Sequence, residues 1–191
     1  MIEACTDAGI GLLAQSIAML HCVDQGAAQD EQSPMKATGV REAALDLEHL
    51  IAGWNGNWRI VRGGNLYGPG TSTDDGWFAQ MRQGKLVPPA AGQDWVSCVH
   101  VADLAAAFVT VLQSAPPRST WIAADDQPMR WAELFELVAA LSNQSHQVPS
   151  GGEQVMPGFK VTNAALRGLG WVPRYPSLRS GLIAAAEQSS R

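Results

Sequence analysis

The feature that most constrains the fold is the segment 58–70, where an apolar run passes directly into a glycine-rich turn. The run Trp-Arg-Ile-Val-Arg predicts a strand, and the turn that follows carries Asn65 and Tyr67. In open α/β sheets, ligands sit beyond the carboxyl ends of the strands, where loops bring short polar side chains close to them. The segment therefore predicts either a ligand site at a strand end or a plain polar turn, since Gly-Pro-Gly is common turn chemistry.

Strand-like and helix-like patterns alternate along the chain. Strands are predicted over 10–20, 58–63, 95–101 and 120–124. Helices are predicted over 1–8, 74–83, 131–142, 163–169 and 177–188, with two further helices beginning at Thr38 and Asp103. Thr38 and Asp103 are the predicted caps of their helices, with His100 buried beneath Asp103. Alternation of this kind implies an α/β fold with a parallel sheet, followed by a smaller helical and mixed lobe.

Charge and composition exclude several classes of function. A net charge of -5 argues against nucleic-acid binding, which needs a basic face. No apolar stretch approaches the roughly 20 residues of a membrane helix, and the first residues lack the basic start of a secretion signal. The three cysteines have no Cys-x-x-Cys spacing and the four histidines are scattered, so no metal site is predicted. We expect a cytoplasmic protein without a nucleic-acid or membrane partner.

Short motifs follow one another in a definite order. The first contains Arg62, Asn65, Tyr67, Gly68, Pro69 and Gly70; the second contains Trp95, Ser97, Val99, His100, Val101, Asp103, Leu104, Ala105 and Ala107. Two later ones contain Trp131, Glu133 and Leu134, and then Leu169, Gly170, Trp171 and Pro173. In this order they resemble the motifs of the extended short-chain dehydrogenase/reductase family, the NAD-dependent epimerases and dehydratases. The resemblance covers essentially the whole chain.

The resemblance implies a partial Rossmann-like parallel sheet with a smaller C-terminal mixed α/β substrate lobe. Residues 1–70 would be the remnant of the Rossmann-like domain, and residues 71–191 mainly the substrate lobe, with some segments returning to the sheet. It also implies an NAD(P)-dependent epimerase, dehydratase or reductase-like activity on a small-molecule substrate, with NAD or NADP as cofactor.

The same resemblance suggests residues for the site. Ser16 takes the position of the catalytic serine that orients substrate, and Asn65 takes a position that faces both nicotinamide and substrate. Tyr67, Trp77 and Phe78 would contact substrate. Each residue also has a structural alternative: Ser16 could bond the next turn, Asn65 could cap its own turn, and the three aromatic residues could simply pack.

Two departures from the family pattern bear on activity. The dinucleotide fingerprint G-x-x-G-x-x-G does not occur in these 191 residues. Val40 and Ala44 stand where the family has its catalytic Tyr and Lys, and neither can titrate. We therefore expect a truncated form that lacks the nucleotide-binding half, is not catalytically competent alone, and binds cofactor poorly by itself. The alternative is a non-catalytic binding or scaffolding relative of the same fold.

Two smaller expectations concern substrate and assembly. Nucleotide-sugar enzymes of the family place an Arg before the V-H-V strand to pair with pyrophosphate, whereas Val96 or Gln93 stands there in this chain. Arg62, Arg82 or Arg130 would have to bind the pyrophosphate instead. Without the first half, the strand over 10–20 would expose an apolar edge, so we expect a homodimer or edge-to-edge pairing.

Overall fold

The protein is described by a computed structural model that covers residues 2–22, 26–71, 77–80, 83, 93–142 and 158–189. The helices are α1 (Ile2–Ala8), α2 (Glu42–Ala52), α3 (Val101–Ser114), α4 (Trp131–Leu141), α5 (Ala164–Gly168) and α6 (Leu178–Ser189). The strands are β1 (Leu12–Ile17), β2 (Trp58–Gly63), β3 (Asn65–Tyr67), β4 (Trp95–Val96), β5 (Cys98–His100), β6 (Ser119–Ala123) and β7 (Met129–Arg130). Ala18–His21 and Gly39–Arg41 are short 3-10 turns.

The main sheet confirms the predicted parallel α/β architecture. Its strand order is β1-β2-β6, and all neighbours are parallel. The register pairs Ser16 with Arg62, and Arg62 with Ile122. Two smaller pairs accompany it, the parallel β3–β5 and the antiparallel β4–β7. The segments 119–123 and 58–63 thus lie side by side, although they are far apart in sequence.

Alternating residues of the sheet pack into two different cores, because successive side chains of a strand point to opposite faces. Ala14 and Ile60 pack with Ile51 of α2 on one face, whereas Val61 and Ala123 pack with Leu104 of α3 on the other. A third core is formed mainly by residues of β3, β4, α4 and α6. Its largest buried members include Tyr67, Leu134 and Phe159, which come from β3, α4 and the segment before α5.

Two predicted strands are shorter than expected. The strand predicted over 10–20 is limited to Leu12–Ile17, because the chain turns into the 3-10 turn Ala18–His21, where Leu20 accepts a backbone bond from Lys36. The strand predicted over 95–101 is broken at Ser97. The Ser97 carbonyl accepts from Asn65 N at 2.8 Å and its hydroxyl from Val161 N at 3.0 Å. Both interruptions depend on residues distant in sequence.

Both predicted helix caps are wrong. Thr38 makes no cap hydrogen bond; Gly39, with φ +61°, starts a 3-10 turn, and α2 begins only at Glu42. At α3 the roles of His100 and Asp103 are reversed. His100 is the capping residue, since its Nδ1 accepts from Ala102 N at 3.1 Å.

Asp103 instead holds the C-terminal segment in place. Its carboxylate accepts from Arg174 N at 2.7 Å and from Tyr175 N at 2.9 Å. Its carbonyl accepts from the indole of Trp171 at 3.1 Å. The second and last family motifs are therefore joined in space, which no local pattern around residue 103 could indicate.

The edges of the main sheet differ. At β6, the Glu31 side chain accepts from Ile122 N at 2.8 Å and so blocks part of the edge. β1 pairs only with β2, and no second neighbour lies beside it among the described residues. Pairing of this edge with a second copy stays a prediction. No helix within the described ranges is long and apolar enough to cross a membrane.

Candidate functional site

Polar side chains lie at or just beyond the carboxyl ends of the three main strands, which all end on the same side of the sheet. Ser16 lies near the end of β1, Asn65 two residues beyond β2, and Asp125 two residues beyond β6. Adjacent strands are about 4.8 Å apart, so the outer two strands span about 10 Å at this edge. That width matches one small molecule, and such edges are where open α/β sheets bind ligands.

Ser16 is buried, and its hydroxyl has no hydrogen-bond partner among the described residues. Its side chain shares the face of Ala14, toward α2, and its residue is 4% exposed. No hydrogen bond to its Oγ is found among the described residues. The alternative in which this hydroxyl bonds the next turn therefore has no support among the described residues.

A buried ion pair stands beside Ser16. The Nη2 of Arg62 donates to Glu48 Oε2 at 2.6 Å, and its Nε lies 3.0 Å from Oε1. The Nη1 of Arg62 lies 3.0 Å from Nε2 of His21, which must accept because a guanidinium only donates. Burial and the Arg62 charge lower the pKa of His21, so its ring is neutral. Arg62 is consequently not free to bind a phosphate.

Asn65 occupies a close crossing of two strands. Its backbone N–H donates to Ser97 O at 2.8 Å, and a Cβ added at the preceding Gly64 would lie 2.8 Å from that same carbonyl oxygen. Only glycine fits there, so the glycine before Asn65 is required by packing. The Asn65 side chain is half-exposed and hydrogen-bonds toward the Cys98 thiol, whose pKa burial raises well above its usual value. Asn65 thus lies just beyond the carboxyl end of β2, with its side chain partly exposed.

Tyr67 is a core residue. It is 1% exposed, its hydroxyl donates to Ser177 O at 3.3 Å, and its ring meets His100 edge-on at 5.2 Å between centroids. Burial raises its pKa far above the usual value. Trp77 and Phe78, on the helical turn 77–80, are half-buried and pack against the same core. Direct contact of these three residues with substrate stays a prediction; the described contacts are packing contacts.

Asp125 is the site residue that sequence reasoning missed. It is 3% exposed, and both of its carboxylate oxygens are buried beside the amides of Leu178 and Gln127. Burial raises its pKa to about 8; the amides of Leu178 and Gln127 lie close enough to lower it in part. The run Ala-Asp-Asp-Gln looks like a polar turn. Its position directly after the last predicted strand was the available signal.

The remaining candidates lie elsewhere. Arg130 stacks on the Trp95 ring, with its guanidinium carbon 4.1 Å from the ring centroid, and Lys160 lies 4.4 Å from the same centroid. Arg82 is outside the described residues. Positions 40 and 44 belong to the 3-10 turn before α2 and to the first turn of α2. No group of side chains able to hold a metal ion occurs in the described part of the chain.

Comparison with known proteins identifies related chains. The chain is 30% identical over 206 aligned residues to a 3-diazoavenalumate denitrifying reductase from Streptomyces sp, a match that covers 95% of this chain and 67% of that protein. No protein-family model matches the chain.

Solved structures share the fold. A UDP-glucose 4-epimerase from Thermus thermophilus, complexed with NAD, superimposes with a TM-score of 0.82 at 19% identity, over 97% of this chain and 66% of that one. A dTDP-glucose 4,6-dehydratase from Bacillus anthracis str. Ames, also with NAD, gives 0.83 at 15% identity, over 99% and 65%. At such identities the likeness establishes the fold alone. The chain spans about two thirds of the length of these relatives.

Proposed function

Since the chain belongs to the extended short-chain dehydrogenase/reductase family, we propose that it forms the substrate-side wall of an NAD(P)-dependent site. The site is centred on Asn65, and Ser16 orients the substrate. A nucleotide-binding segment outside these 191 residues completes the cofactor site. The observation that carries the proposal is the position of Asn65: its backbone N–H donates to Ser97 O at 2.8 Å, and its partly exposed side chain lies just beyond the carboxyl end of β2.

The residues present fit one end of a dinucleotide and not the other. The Asn65 side chain offers a donor and an acceptor, which suits the carboxamide of a nicotinamide. A pyrophosphate needs glycines and a helix N-terminus, and no G-x-x-G-x-x-G turn occurs in the chain. We therefore assign the nicotinamide contact to Asn65 and leave the phosphates to the completing segment.

The chemistry must proceed without the family's Tyr and Lys. Val40 and Ala44 cannot move a proton, and Tyr67 is buried with a strongly raised pKa. A reduced nicotinamide would supply a hydride, and Tyr67, buried in the core, is not placed to supply the matching proton. The site thus favours reductions in which hydride transfer alone completes the bond changes at the substrate.

A reductive loss of dinitrogen is such a reaction, and the Streptomyces relative is named as a denitrifying reductase of a diazo compound. When hydride replaces the diazonium group on a carbon, one C–H bond forms and the C–N bond breaks. Dinitrogen then leaves with the bonding electron pair, and no proton is needed. We propose a small, electrophilic organic substrate of this reaction class, held between Ser16 and Asn65.

Loss of the Asn65 amide tests this proposal. In the full polypeptide that carries these residues, Asn65→Ala should lower kcat/KM for NADPH-dependent reduction of an aryl diazonium salt at least tenfold, equivalent to about 1.4 kcal/mol. Asn55→Ala is the matched control, because Asn55 is exposed before the opposite end of β2. Equal rates for the two variants would contradict a role for Asn65.

The second candidate is a binding protein without catalysis, which the residues at positions 40 and 44 favour directly. The two candidate functions predict different results for binding and turnover. Saturable NADPH binding that depends on Asn65, without turnover of any diazonium or carbonyl compound tried, would support the binding protein and exclude the reductase.

A further inference from the structure

Two cationic side chains lie against one aromatic ring. The guanidinium carbon of Arg130 is 4.1 Å from the centroid of the Trp95 ring, and Nζ of Lys160 is 4.4 Å from the same centroid. The two charges therefore lie within about 10 Å of each other, the distance over which charges interact in 0.1 M salt. Like charges at this spacing repel, although the chain as a whole carries a net charge of -5. An anion bound by both groups would relieve that repulsion.

The two cations keep hydrogen-bond donors that the described residues do not use. Arg130 is oriented by its contact with the ring and by its Nη1, which donates to Gln93 O. In the described part of the chain, no hydrogen-bond partner is found for Nε or Nη2 of Arg130 or for Nζ of Lys160, and neither residue forms an ion pair. A guanidinium presents its remaining donors as a planar fork, which matches the two oxygens of a carboxylate.

The cation pair lies beside the residue that fixes Asn65. Ser97 O accepts from Asn65 N at 2.8 Å, and Ser97 Oγ accepts from Val161 N at 3.0 Å. Trp95 lies two residues before Ser97, which is about 7 Å along an extended chain, and Lys160 directly precedes Val161. The backbone of Asn65 and the cation pair are thus separated by a distance that one small organic molecule spans.

We propose that Arg130 and Lys160 form a carboxylate subsite of the proposed reductase, and that Trp95 holds both side chains in place. The substrate is then an organic acid, whose reacting carbon lies at Asn65 and whose carboxylate is bound by the two cations. The reacting end of this arrangement rests on the proposed function, whereas the carboxylate end rests on the cation pair. The three residues determine specificity and do not touch the reacting carbon.

The start of α4 favours a carboxylate over a phosphate group at this position. Phosphates are commonly bound by free amides at a helix N-terminus. At α4, however, Arg130 N donates to Glu133 Oε2 at 2.9 Å, and Trp131 N donates to Asp94 O at 3.1 Å. The Glu133 carboxylate also places a negative charge in the first turn, which repels a phosphate dianion more than a monoanion. Arg130 is therefore better suited to a carboxylate than to a pyrophosphate.

A matched pair of substrates tests this subsite in the full polypeptide. The 4-carboxybenzenediazonium ion carries a carboxylate that its methyl ester lacks. With NADPH, kcat/KM for the acid should exceed that for the ester at least tenfold. Arg130→Met and Lys160→Met, which keep an unbranched side chain without the charge, should each remove most of this preference by raising KM for the acid. Neither should change the rate with the ester, and Arg130→Lys should retain part of the preference.

Arg118→Met is the control for the loss of one positive charge. Arg118 directly precedes β6, at the opposite end of the sheet, and its side chain donates to the carbonyls of Asn55 and Gly56. This variant should keep the acid-to-ester ratio of the unaltered protein. Equal rates for acid and ester in the unaltered protein, or an equal fall for both compounds in the variants at positions 130 and 160, would overturn the inference and leave the proposed reduction in place.

Direct binding of benzoate and benzamide decides the inference even if no reduction is observed. Calorimetric titration of the full polypeptide should show saturable binding of benzoate and no binding of benzamide over the same concentrations. Arg130→Met and Lys160→Met should each weaken benzoate binding at least tenfold, whereas Arg118→Met should not. This binding pattern without reduction of either diazonium compound would contradict the proposed function alone. No benzoate binding, or equal binding in all four proteins, would overturn the carboxylate subsite.

Discussion

Replacing Glu48 with alanine should lower the free energy of unfolding by about 3–5 kcal/mol, because it leaves the Arg62 guanidinium buried without its counter-ion. Both side chains of the pair are only 5% exposed, and three of the guanidinium contacts end on the Glu48 carboxylate. Total stabilities of natural domains are about 5–15 kcal/mol, so this single change would remove much of the margin. Urea unfolding followed by circular dichroism measures the loss.

Arg167→Ala provides the comparison for that measurement. Its ion pair with Asp126 is 3.2 Å long and its side chains are 41% and 32% exposed. Exposed pairs of this kind contribute about 0–1 kcal/mol. A loss for Glu48→Ala no larger than that for Arg167→Ala would mean that the buried pair does not hold α2 to β2.

Trp171→Ala should cost about 3–5 kcal/mol, the usual range when a fully buried aromatic side chain is removed. Trp171 is 2% exposed, packs in the core between β2 and α3, and bonds Asp103 through its indole nitrogen. Trp171→Phe retains most of the packing and loses the hydrogen bond, so it should cost less. The loss is measured by the same urea titration.

Val172→Ala is the control for Trp171, since the adjacent Val172 is 69% exposed. Its effect should stay within about 0.5 kcal/mol, as is usual for surface positions. Comparable losses at positions 171 and 172 would contradict the conclusion that the L-G-W-x-P motif is a packing motif.

The parts of the fold that follow from local pattern were predictable from the sequence. The strand at 58–63 is strongly apolar and sits as predicted at Trp58–Gly63, in the middle of the sheet. The helix predicted over 131–142 is found at Trp131–Leu141. The order of the motifs also led to the correct family, because several specific residue types had to match together.

Features fixed by distant contacts were not predictable. The break at Ser97 depends on Asn65 and Val161, and the role of Asp103 depends on amides near residue 174. A polar residue near a helix start can cap it or bond a remote segment, and local spacing does not distinguish the two.

The candidate site, too, could be predicted only in part. Ser16 lies near the end of β1 and Asn65 just beyond β2, so both lie at the carboxyl ends of the main strands, as parallel strands require. Tyr67 follows the same strand, yet it turns into the core. Asp125 was not predicted because only its burial distinguishes it from an ordinary turn residue. Burial cannot be inferred from a run of turn-forming residues.

The most direct test of the account is calorimetric titration of the 191-residue chain with NADH and NADPH, beside a polypeptide that also contains a glycine-rich nucleotide-binding segment. We predict no saturable heat and no thermal shift for the chain alone at millimolar cofactor. The extended polypeptide should bind, and Asn65→Ala should weaken that binding. Saturable, Asn65-dependent binding by the chain alone would contradict the claim that it supplies only the substrate-side wall.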